Sequence, residues 1–478
     1  MKKIFIYYNY PAILMLCTLY LSCKIPSAIQ VPALKSVPAS FANSTDSSSS
    51  ANMTWKDFFT DKKLVALIDT AINNNPDVLM TLQEIEIARN RVRARNAALY
   101  PTVEAGGSLS IEKVGRYTSS GAGDASTEIT KGKTVPENLT NIELGLRTSW
   151  EVDIWGKLRS AKKAAFAKYL GSIEGKNFVV TNLVAEVANT YYELVALDNQ
   201  LEIIRESIQL QKNQLEIVKV QKQAAVVTEL AVKQFEAQLY NSQGTENEII
   251  QKITESENEL NFLLGRYPQK LDRDTTAFLG QVPNLVKEGI PSQLLKNRPD
   301  IKQAELELLA AKWDVKTART EFYPSLNISA ALGLQAFKPN YLFRMPESIA
   351  YSLLGDLAGP IINRQAIIAE FKTANAYQVE AMYEYQKAIL NGYVEVSNEL
   401  SNINNLGNIY SFKSKEVETL TKSVDISNDL FKSARANYLE VLTAQRDALA
   451  SKLELIDIKK QQFNAVTSIY KALGGGWK

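Results

Sequence analysis

Apolar and polar residues alternate with a period of two in two separate parts of the chain. From Ile142 to Ile154, nearly every second side chain is apolar, and the same alternation runs from Leu326 to Leu334. Residues 349–357 repeat it less regularly. This period predicts β-strands with one apolar face and one polar face. We therefore expect two β-hairpins, over residues 101–154 and 324–358.

After each predicted hairpin the apolar residues change to helical spacing. Between Leu194 and Val218 they advance by three or four residues at a time, with one step of seven, which is the heptad pattern of a coiled coil. No proline occurs from 137 to 267 or from 361 to 478. The sequence predicts two antiparallel pairs of long helices, the first helix about 100 Å in length, and a shorter helix before each hairpin. The predicted helices are 60–99, 157–222, 228–266, 299–322, 362–433 and 438–473.

The chain contains one structural unit twice. Asn75-Pro76-Asp77 corresponds to Arg298-Pro299-Asp300, and Tyr100-Pro101 to Tyr323-Pro324, at the same offset of 223 residues. Leu230 corresponds to Leu439 at an offset of 209. A repeat of this length is a duplicated structural unit. We assign residues 55–275 to repeat 1 and residues 276–478 to repeat 2.

The N-terminus has the pattern of an export signal. Lys2 and Lys3 precede an apolar run that Asn9 and Pro11 make too short for a transmembrane helix. The run ends at Leu21-Ser22-Cys23, which resembles a bacterial lipoprotein signal in which the cysteine is acylated. Bulky Leu16 makes Cys17 the poorer candidate. We expect a signal peptide over 1–22, an acylated flexible linker over 23–54, and an outer-membrane destination, since Lys24 replaces the usual retention aspartate.

Composition argues against an enzyme. The sequence has no histidine, and its two cysteines lie in the first 23 residues, so the commonest general base and metal ligands are missing from the body of the chain. We expect no cofactor and no metal. Lys and Arg number 54 and Asp and Glu 52, a balance that gives no reason to expect nucleic acid binding.

Four amphipathic strands suit a wall that faces lipid on one side and water on the other. An ordinary sheet packed on a soluble core would show the same alternation. The lipoprotein signal and the great length of the helices favour the membrane interpretation. Open sheet edges are not tolerated in hydrocarbon, so the chain must oligomerise, and three copies supply twelve strands. The predicted fold is thus an α+β membrane protein of two tandem repeats.

The sequence resembles the TolC-like outer-membrane efflux proteins, in the lipoprotein branch that serves tripartite pumps. The resemblance covers roughly residues 55–475 and is strongest in Ile290-Pro291, Arg298-Pro299-Asp300-Ile301 and Phe322-Tyr323-Pro324-Ser325. Residues 150–156 and 437–446 match the family's entries into its long helices. The resemblance implies a homotrimer in outer-membrane lipid, with a twelve-stranded β-barrel and a periplasmic α-helical barrel. It also implies two partners, a periplasmic adaptor and an inner-membrane RND transporter.

The resemblance places a periplasmic gate at the start of the last long helix. By position, Leu439 falls on a hydrophobic constriction, Thr443 on an aspartate ring and Arg446 on an arginine of the closing network. Thr443 departs from the family pattern. Glu440 lies three residues earlier on nearly the same helix face, and our hypothesis is that it supplies the acidic ring. The alternative is that Glu440 and Arg446 are solvated or paired on a helix surface.

The turns between the long helices are the predicted adaptor contacts, although they could equally be plain turns. They include two short groups, Ala225, Val226 and Val227, and Ala434, Arg435 and Ala436. Four aromatic residues at the strand–helix junctions either mark the membrane boundary or pack the junction; they are Tyr100, Trp150, Trp155 and Tyr323.

Three other functions fit part of the pattern. Type I protein secretion uses the same channel design, and a periplasmic adaptor or structural coiled-coil lipoprotein would share the anchor and the helices. An exported hydrolase using Glu151 and Asp153 is the third, but strand alternation alone puts these two carboxylates on one face. The sequence favours the exit duct of a tripartite efflux pump, with its substrate left open.

Overall fold

A computed structural model describes residues 26–27, 33, 36–41, 48–273, 278–280, 286–360, 364–433 and 435–478. The chain divides into two compact units. Among the described residues, the first unit comprises 26–27, Ile87–Tyr169 and most of Glu307–Met382, and the second comprises most of Ala33–Glu86, Leu170–Leu306 and Tyr383–Lys478. Each unit therefore takes residues from both sequence repeats.

The main elements follow the predicted order. The helices are α1 (Lys62–Asn74), α2 (Pro76–Ala97), α3 (Lys157–Gln223), α4 (Glu229–Leu263), α5 (Pro299–Thr320), α6 (Gln365–Lys432) and α7 (Tyr438–Ala472). The strands are β1 (Thr102–Glu112), β2 (Leu139–Val152), β3 (Ser325–Ala336) and β4 (Ile349–Ala358). Short helices occupy Trp55–Phe58, Ser119–Ser126, Leu294–Asn297 and Pro339–Leu342.

Two predictions of local structure were wrong. The single helix expected over 60–99 is two helices, α1 and α2, because Pro76 has no N–H and forces a break at Asn75, whose backbone is extended. The β-hairpin predicted over 101–154 is not a simple one, because the connection between β1 and β2 contains the helix Ser119–Ser126 and a small hairpin of Glu128–Thr130 with Lys133–Thr134.

The first unit is built on one antiparallel sheet of four strands in the order β1-β2-β3-β4. The central pair, β2 and β3, joins the hairpin of repeat 1 to the hairpin of repeat 2, with Leu146 opposite Leu332. β1 and β4 are the edges. Just after α5, Phe322 packs edge-to-face on Phe371 of α6, with 5.8 Å between the ring centroids.

The second unit has its core between the long helices. The apolar residues of the predicted heptad seam from Leu194 to Val218 are buried, except Leu201, which is partly buried against the same core; this confirms the seam. Near the C-terminal end of α7, Phe58 stacks on Tyr470 with ring centroids 3.8 Å apart, in the core cluster that also contains Leu194. Burial raises the pKa of Tyr470 to about 12, and its hydroxyl donates to the carbonyl oxygen of Met53.

Each repeat contains an equivalent hydrogen bond, which joins the residue before its Pro-Asp helix to the end of its second long helix. In repeat 1, buried Asn75 donates from Nδ2 to the carbonyl oxygen of Leu263 at 3.0 Å. In repeat 2, Arg298 occupies the same place and donates to the carbonyl oxygen of Ala472 at 2.8 Å. A glycine with a left-handed backbone conformation follows α4, and another follows α7. These two glycines, Gly265 and Gly474, have φ of 67° and 90° and lie so close to Asn74 and Asn297 that a side chain would collide with backbone.

Candidate functional site: a two-faced sheet and the ends of the long helices

The strand register sorts the side chains of the sheet onto two faces. The apolar face carries no charged residue in any of the four described strands. Its rows cross all strands in register, for example Gly107, Leu144, Leu334 and Ile349. Leu109, Ile111, Tyr351, Leu353 and Leu357 are all largely exposed there in the single chain. An apolar surface of this extent is a binding surface for lipid or protein.

The opposite face is polar and acidic. Its charged groups are five carboxylates, Glu104, Glu112, Glu143, Glu151 and Asp356, and one guanidinium, Arg147. Glu143 is the centre of a hydrogen-bonded group in which Asn141, Arg147 and Ser108 donate to its carboxylate at 2.9, 2.8 and 3.3 Å. In the described part of the chain, no cation lies within ion-pair distance of Glu104, Glu112 or Asp356.

A row of small residues crosses the polar face. Gly106, Gly145, Gly333 and Ala350 lie opposite one another on successive strands. Gly145 and Gly333 approach so closely that a Cβ atom on Gly145 would lie 2.6 Å from the Cα atom of Gly333. These positions, together with Glu143 and Arg147, line a cavity of about 190 Å³.

The junction between β2 and α3 is organised by Asp153. Its carboxylate accepts the backbone N–H groups of Leu158 and Arg159 at 2.9 and 3.0 Å, and the side chain of Arg159 at 2.9 Å. Although burial acts to raise the pKa of Asp153, these donors hold it below its usual value. Gly156 takes the left-handed φ of 77° that the turn requires. Asp153 therefore starts a helix, and Glu151 pairs separately with Lys157 at 3.4 Å.

The junction aromatics have different surroundings. Trp150 donates from Nε1 to the carbonyl oxygen of Leu99 at 3.1 Å. Trp155 donates to the carbonyl oxygen of Pro324 at 2.7 Å and stacks on Tyr323 with centroids 4.9 Å apart. Three of the four aromatics thus pack the junction, whereas Tyr100 is largely exposed.

The two helical turns share one backbone hydrogen bond, from an N–H group to the carbonyl oxygen five residues earlier. In the first, Ala225 takes a left-handed φ of 56° and the N–H of Val226 bonds the carbonyl oxygen of Gln221 at 2.9 Å. In the second, the N–H of Arg435 bonds the carbonyl oxygen of Leu430 at 2.9 Å. Ala434 lies outside the described residues.

Apolar side chains are exposed at the first turn. Val226 and Leu230 are 65% and 60% exposed, Val227 is half-buried, and Lys222 forms an ion pair with Glu229 beside them. At the second turn, Arg435 is exposed and Ala436 is half-buried.

The predicted gate residues lie at the start of α7 on its exposed side. Asn437 caps the helix by accepting the N–H groups of Leu439 and Glu440 at 2.9 and 3.1 Å. The side chains of Leu439, Glu440, Thr443 and Arg446 are all exposed, and the buried Val441 points to the opposite side. The structure thus brings the four residues onto one helical surface.

Sequence reasoning missed two groups of charges. Asp447 lies one turn beyond Thr443 on the same exposed side, 3.7 Å from Arg446; its i+4 spacing from Thr443 is visible in the sequence. Arg273, in the connection between the repeats, forms ion pairs with Asp198 on α3 and Glu257 on α4. Burial acts to lower the pKa of Arg273, but the two carboxylates raise it. No sequence pattern indicated this second group.

Three findings concern predictions about anchoring and cofactors. Cys23, the predicted lipidation site, lies outside the described residues. Within the described ranges, no helix has the length and apolarity that spanning a membrane demands. The same ranges contain no group of three or more carboxylate, thiol or imidazole side chains suited to a metal ion.

The chain matches the outer membrane efflux protein family over residues 67–266 and 290–475. It is 28% identical to the solvent efflux pump outer membrane protein SrpC of Pseudomonas putida, over 88% of this chain and 87% of SrpC. It is 27% identical to the cation efflux system protein CusC of Escherichia coli O6:H1, over 95% and 96% of the two chains.

Solved structures have the same fold. A crystal structure of CusC, described in terms of transmembrane channel formation, superposes with a TM-score of 0.82 at 25% identity, over 95% of this chain and 100% of that one. The open-state MtrE outer membrane channel of Neisseria gonorrhoeae gives a TM-score of 0.82 at 22% identity, over 95% and 99% of the two chains. The chain therefore belongs to the outer membrane efflux protein family and is an outer-membrane component of an efflux system.

Proposed function

We propose that three copies of the chain form the exit duct of a tripartite RND-type efflux pump. The observation that carries this proposal is the two-faced sheet, whose apolar face bears no charge in the described strands and whose polar face holds six charged groups. Such a sheet is stable with lipid on one side and water on the other.

The two edges of the sheet support the trimer. β1 and β4 each have one side without a strand partner in the described chain, and unpaired backbone groups are not tolerated in hydrocarbon. Edge pairing between three copies satisfies these groups and makes a barrel of twelve strands, an even number within the range of outer-membrane barrels. Substrates would then pass along the polar faces without chemical change.

The partners in this proposal are a periplasmic adaptor and an inner-membrane transporter. The exposed Val226 and Leu230 and the exposed Arg435 give the helical turns the mixture of apolar and charged groups that a protein contact uses. We assign the adaptor contact to these turns. Relatives named for solvents, cations and pyoverdine each match 88% or more of this chain, which supports substrate choice by the pump rather than by the duct.

The test is the mass and conductance of the purified full-length protein. In detergent we expect a particle of three chains, and in planar lipid bilayers we expect ion conductance after its insertion. A monomer that stays soluble without detergent and does not conduct would contradict the proposal. An unrelated outer-membrane porin purified in the same detergent serves as the positive control for insertion.

We predict that Glu440→Gln lowers the preference of the channel for K⁺ over Cl⁻ and weakens its block by divalent cations. The reason is that three copies of Glu440, exposed in the first turn of α7, would meet at one axis and attract cations. The measurement is the reversal potential of single channels in a KCl gradient. Thr443→Asp adds a carboxylate on the same side and is expected to have the opposite effect.

Glu454→Gln is the matched control for Glu440→Gln. Glu454 is also exposed on α7, but Lys413 pairs with it at 2.7 Å and compensates its charge. Unchanged selectivity in Glu440→Gln, or an equal change in Glu454→Gln, would disprove the acidic ring.

We also predict that Cys23→Ala abolishes incorporation of labelled fatty acid into the mature protein. The thiol of Cys23 follows the small residue Ser22 at the end of the export signal, whereas Cys17 follows bulky Leu16. Cys17→Ala is therefore expected to leave labelling unchanged. Label retained in Cys23→Ala would show that the anchor is elsewhere.

A further inference from the structure

Two lysines share one indole ring on the helices that adjoin the sheet in the first unit. The Nζ atom of Lys163, in α3, lies 4.3 Å from the centroid of the Trp313 ring, and the Nζ atom of Lys316, in α5, lies 5.3 Å from it. Both lysines are exposed. Among the described residues no carboxylate lies within ion-pair distance of either, since the nearby Asp314 pairs instead with Lys168 at 2.9 Å. Two ammonium groups therefore lie close together without a counter-charge.

Paired and unpaired lysines lie on different sides of α3. Lys157, at the start of the helix, pairs with Glu151 of the polar face at 3.4 Å. Lys168 follows Lys157 by eleven residues and so points to nearly the same side, whereas Lys163 lies about 140° from Lys168 around the helix. Lys163 is therefore on the side away from the polar face of the sheet, which is the side of the apolar face.

The same asymmetry is present on α5. Lys316 lies about 160° from Asp314, the partner of Lys168, around the helix. Lys312 and Arg319 are four residues before and three residues after Lys316 and thus share its side. Both are exposed and have no ion-pair partner in the part of the chain that the structure describes. We call the four unpaired cations the basic patch: Lys163, Lys312, Lys316 and Arg319.

The basic patch lies close to the end of the sheet. Lys316 is four residues before the end of α5, and Lys163 is six residues after the start of α3, distances of about 6 and 9 Å along the helices. The headgroup layer of a bilayer extends about 5–8 Å beyond the hydrocarbon on each side. With the apolar face of the sheet in hydrocarbon, the basic patch lies at the depth of the lipid headgroups.

We propose that the basic patch binds the phosphate group of an anionic phospholipid, in the membrane leaflet on the side of the helices. The phosphate would compensate the charges of Lys163 and Lys316, and the indole of Trp313 is a side chain that favours the membrane interface. An acidic protein surface would also match these charges, but the continuity of the patch with the apolar face favours a lipid. The inference rests on the proposed function, which places that face in the membrane.

The test is the fluorescence anisotropy of labelled phosphatidylglycerol, titrated with the full-length protein in non-ionic detergent at fixed ionic strength. Phosphatidylcholine with the same label and acyl chains is the comparison lipid, and we expect it to bind at least tenfold more weakly. A cation near the membrane surface contributes about fivefold to the affinity for anionic lipid, so Lys163→Gln combined with Lys316→Gln should weaken phosphatidylglycerol binding about 25-fold. Binding of phosphatidylcholine should not change.

Lys168→Gln is the matched control, because Lys168 is also exposed on α3 but faces the other side and is paired with Asp314. It is expected to bind both lipids as the unaltered protein does. Equal affinity for the two lipids, unchanged phosphatidylglycerol binding in the double variant, or an equal loss in Lys168→Gln would overturn the proposal. Size-exclusion chromatography shows whether each variant folds, and Lys312→Gln combined with Arg319→Gln repeats the test if the first double variant does not.

The result is separable from the test of the channel. A protein that conducts ions but binds the two lipids equally would count against the basic patch alone. Selective binding of phosphatidylglycerol by a protein that does not conduct would count against the proposed channel and leave the basic patch standing.

Discussion

Gly145→Val is expected to remove the folded protein from the outer membrane. A Cβ atom at this position would lie 2.6 Å from both the Cα atom of Gly333 and the carbonyl oxygen of Leu332. Since these contacts are with backbone, β2 and β3 would have to separate and lose ladder hydrogen bonds. We expect a cost of about 3 kcal/mol, the upper end of overpacking penalties. Gly333→Val meets Leu144 and Gly145 in the same way and should behave alike.

Gly106→Val is the matched control for this pair. Gly106 lies directly opposite Gly145 on the neighbouring strand, but no atom lies within 4 Å of a Cβ atom placed there. The Gly106→Val protein should therefore assemble normally. The measurement is the amount of heat-modifiable trimer in the outer-membrane fraction. Normal assembly of Gly145→Val would disprove the steric argument, and equal loss in Gly106→Val would point to a general intolerance of valine.

Arg298→Met is expected to destabilise the second unit by about 3 kcal/mol. Arg298 is buried and pairs with Asp300 and Glu395 at 2.7 and 2.6 Å, besides its hydrogen bond to Ala472. Burial alone would lower the pKa of Arg298, but these two carboxylates raise it. Removing one member of a buried ion pair costs about 3–5 kcal/mol, and the exposure of Glu395 favours the lower end.

The measurement is thermal unfolding of the purified protein, followed by circular dichroism. Arg205→Met is the matched control, because Arg205 pairs with Glu246 at 2.8 Å on an exposed surface, where a pair contributes about 1 kcal/mol or less. If both variants unfold at the same temperature, Arg298 does not hold α5, α6 and α7 together. Arg298→Lys should recover only part of the stability, because lysine keeps the charge and loses the planar fork.

The candidate site divides into parts that the sequence showed and parts that it did not. The positions of Glu440 and Thr443 on one side of α7 follow from their spacing, and Asp447 was open to the same reasoning. The ion pairs of Arg273 with Asp198 and Glu257 were not. The two carboxylates lie 75 and 16 positions from Arg273, and nothing in the surrounding sequence indicates which carboxylates an arginine in a connection will meet.

The sequence by itself determined the local elements and their duplication. Helix and strand periods depend on residues a few positions apart, so the heptad seam and the alternating faces were readable, as was the equivalence of Asn75 with Arg298. Only the tertiary structure decided that the two hairpins form one sheet, that Gly145 faces Gly333 across its centre, and that Arg298 ties a helix start to Ala472. Those contacts join residues more than 170 positions apart, and packing selects them from many partners that the same local patterns would allow.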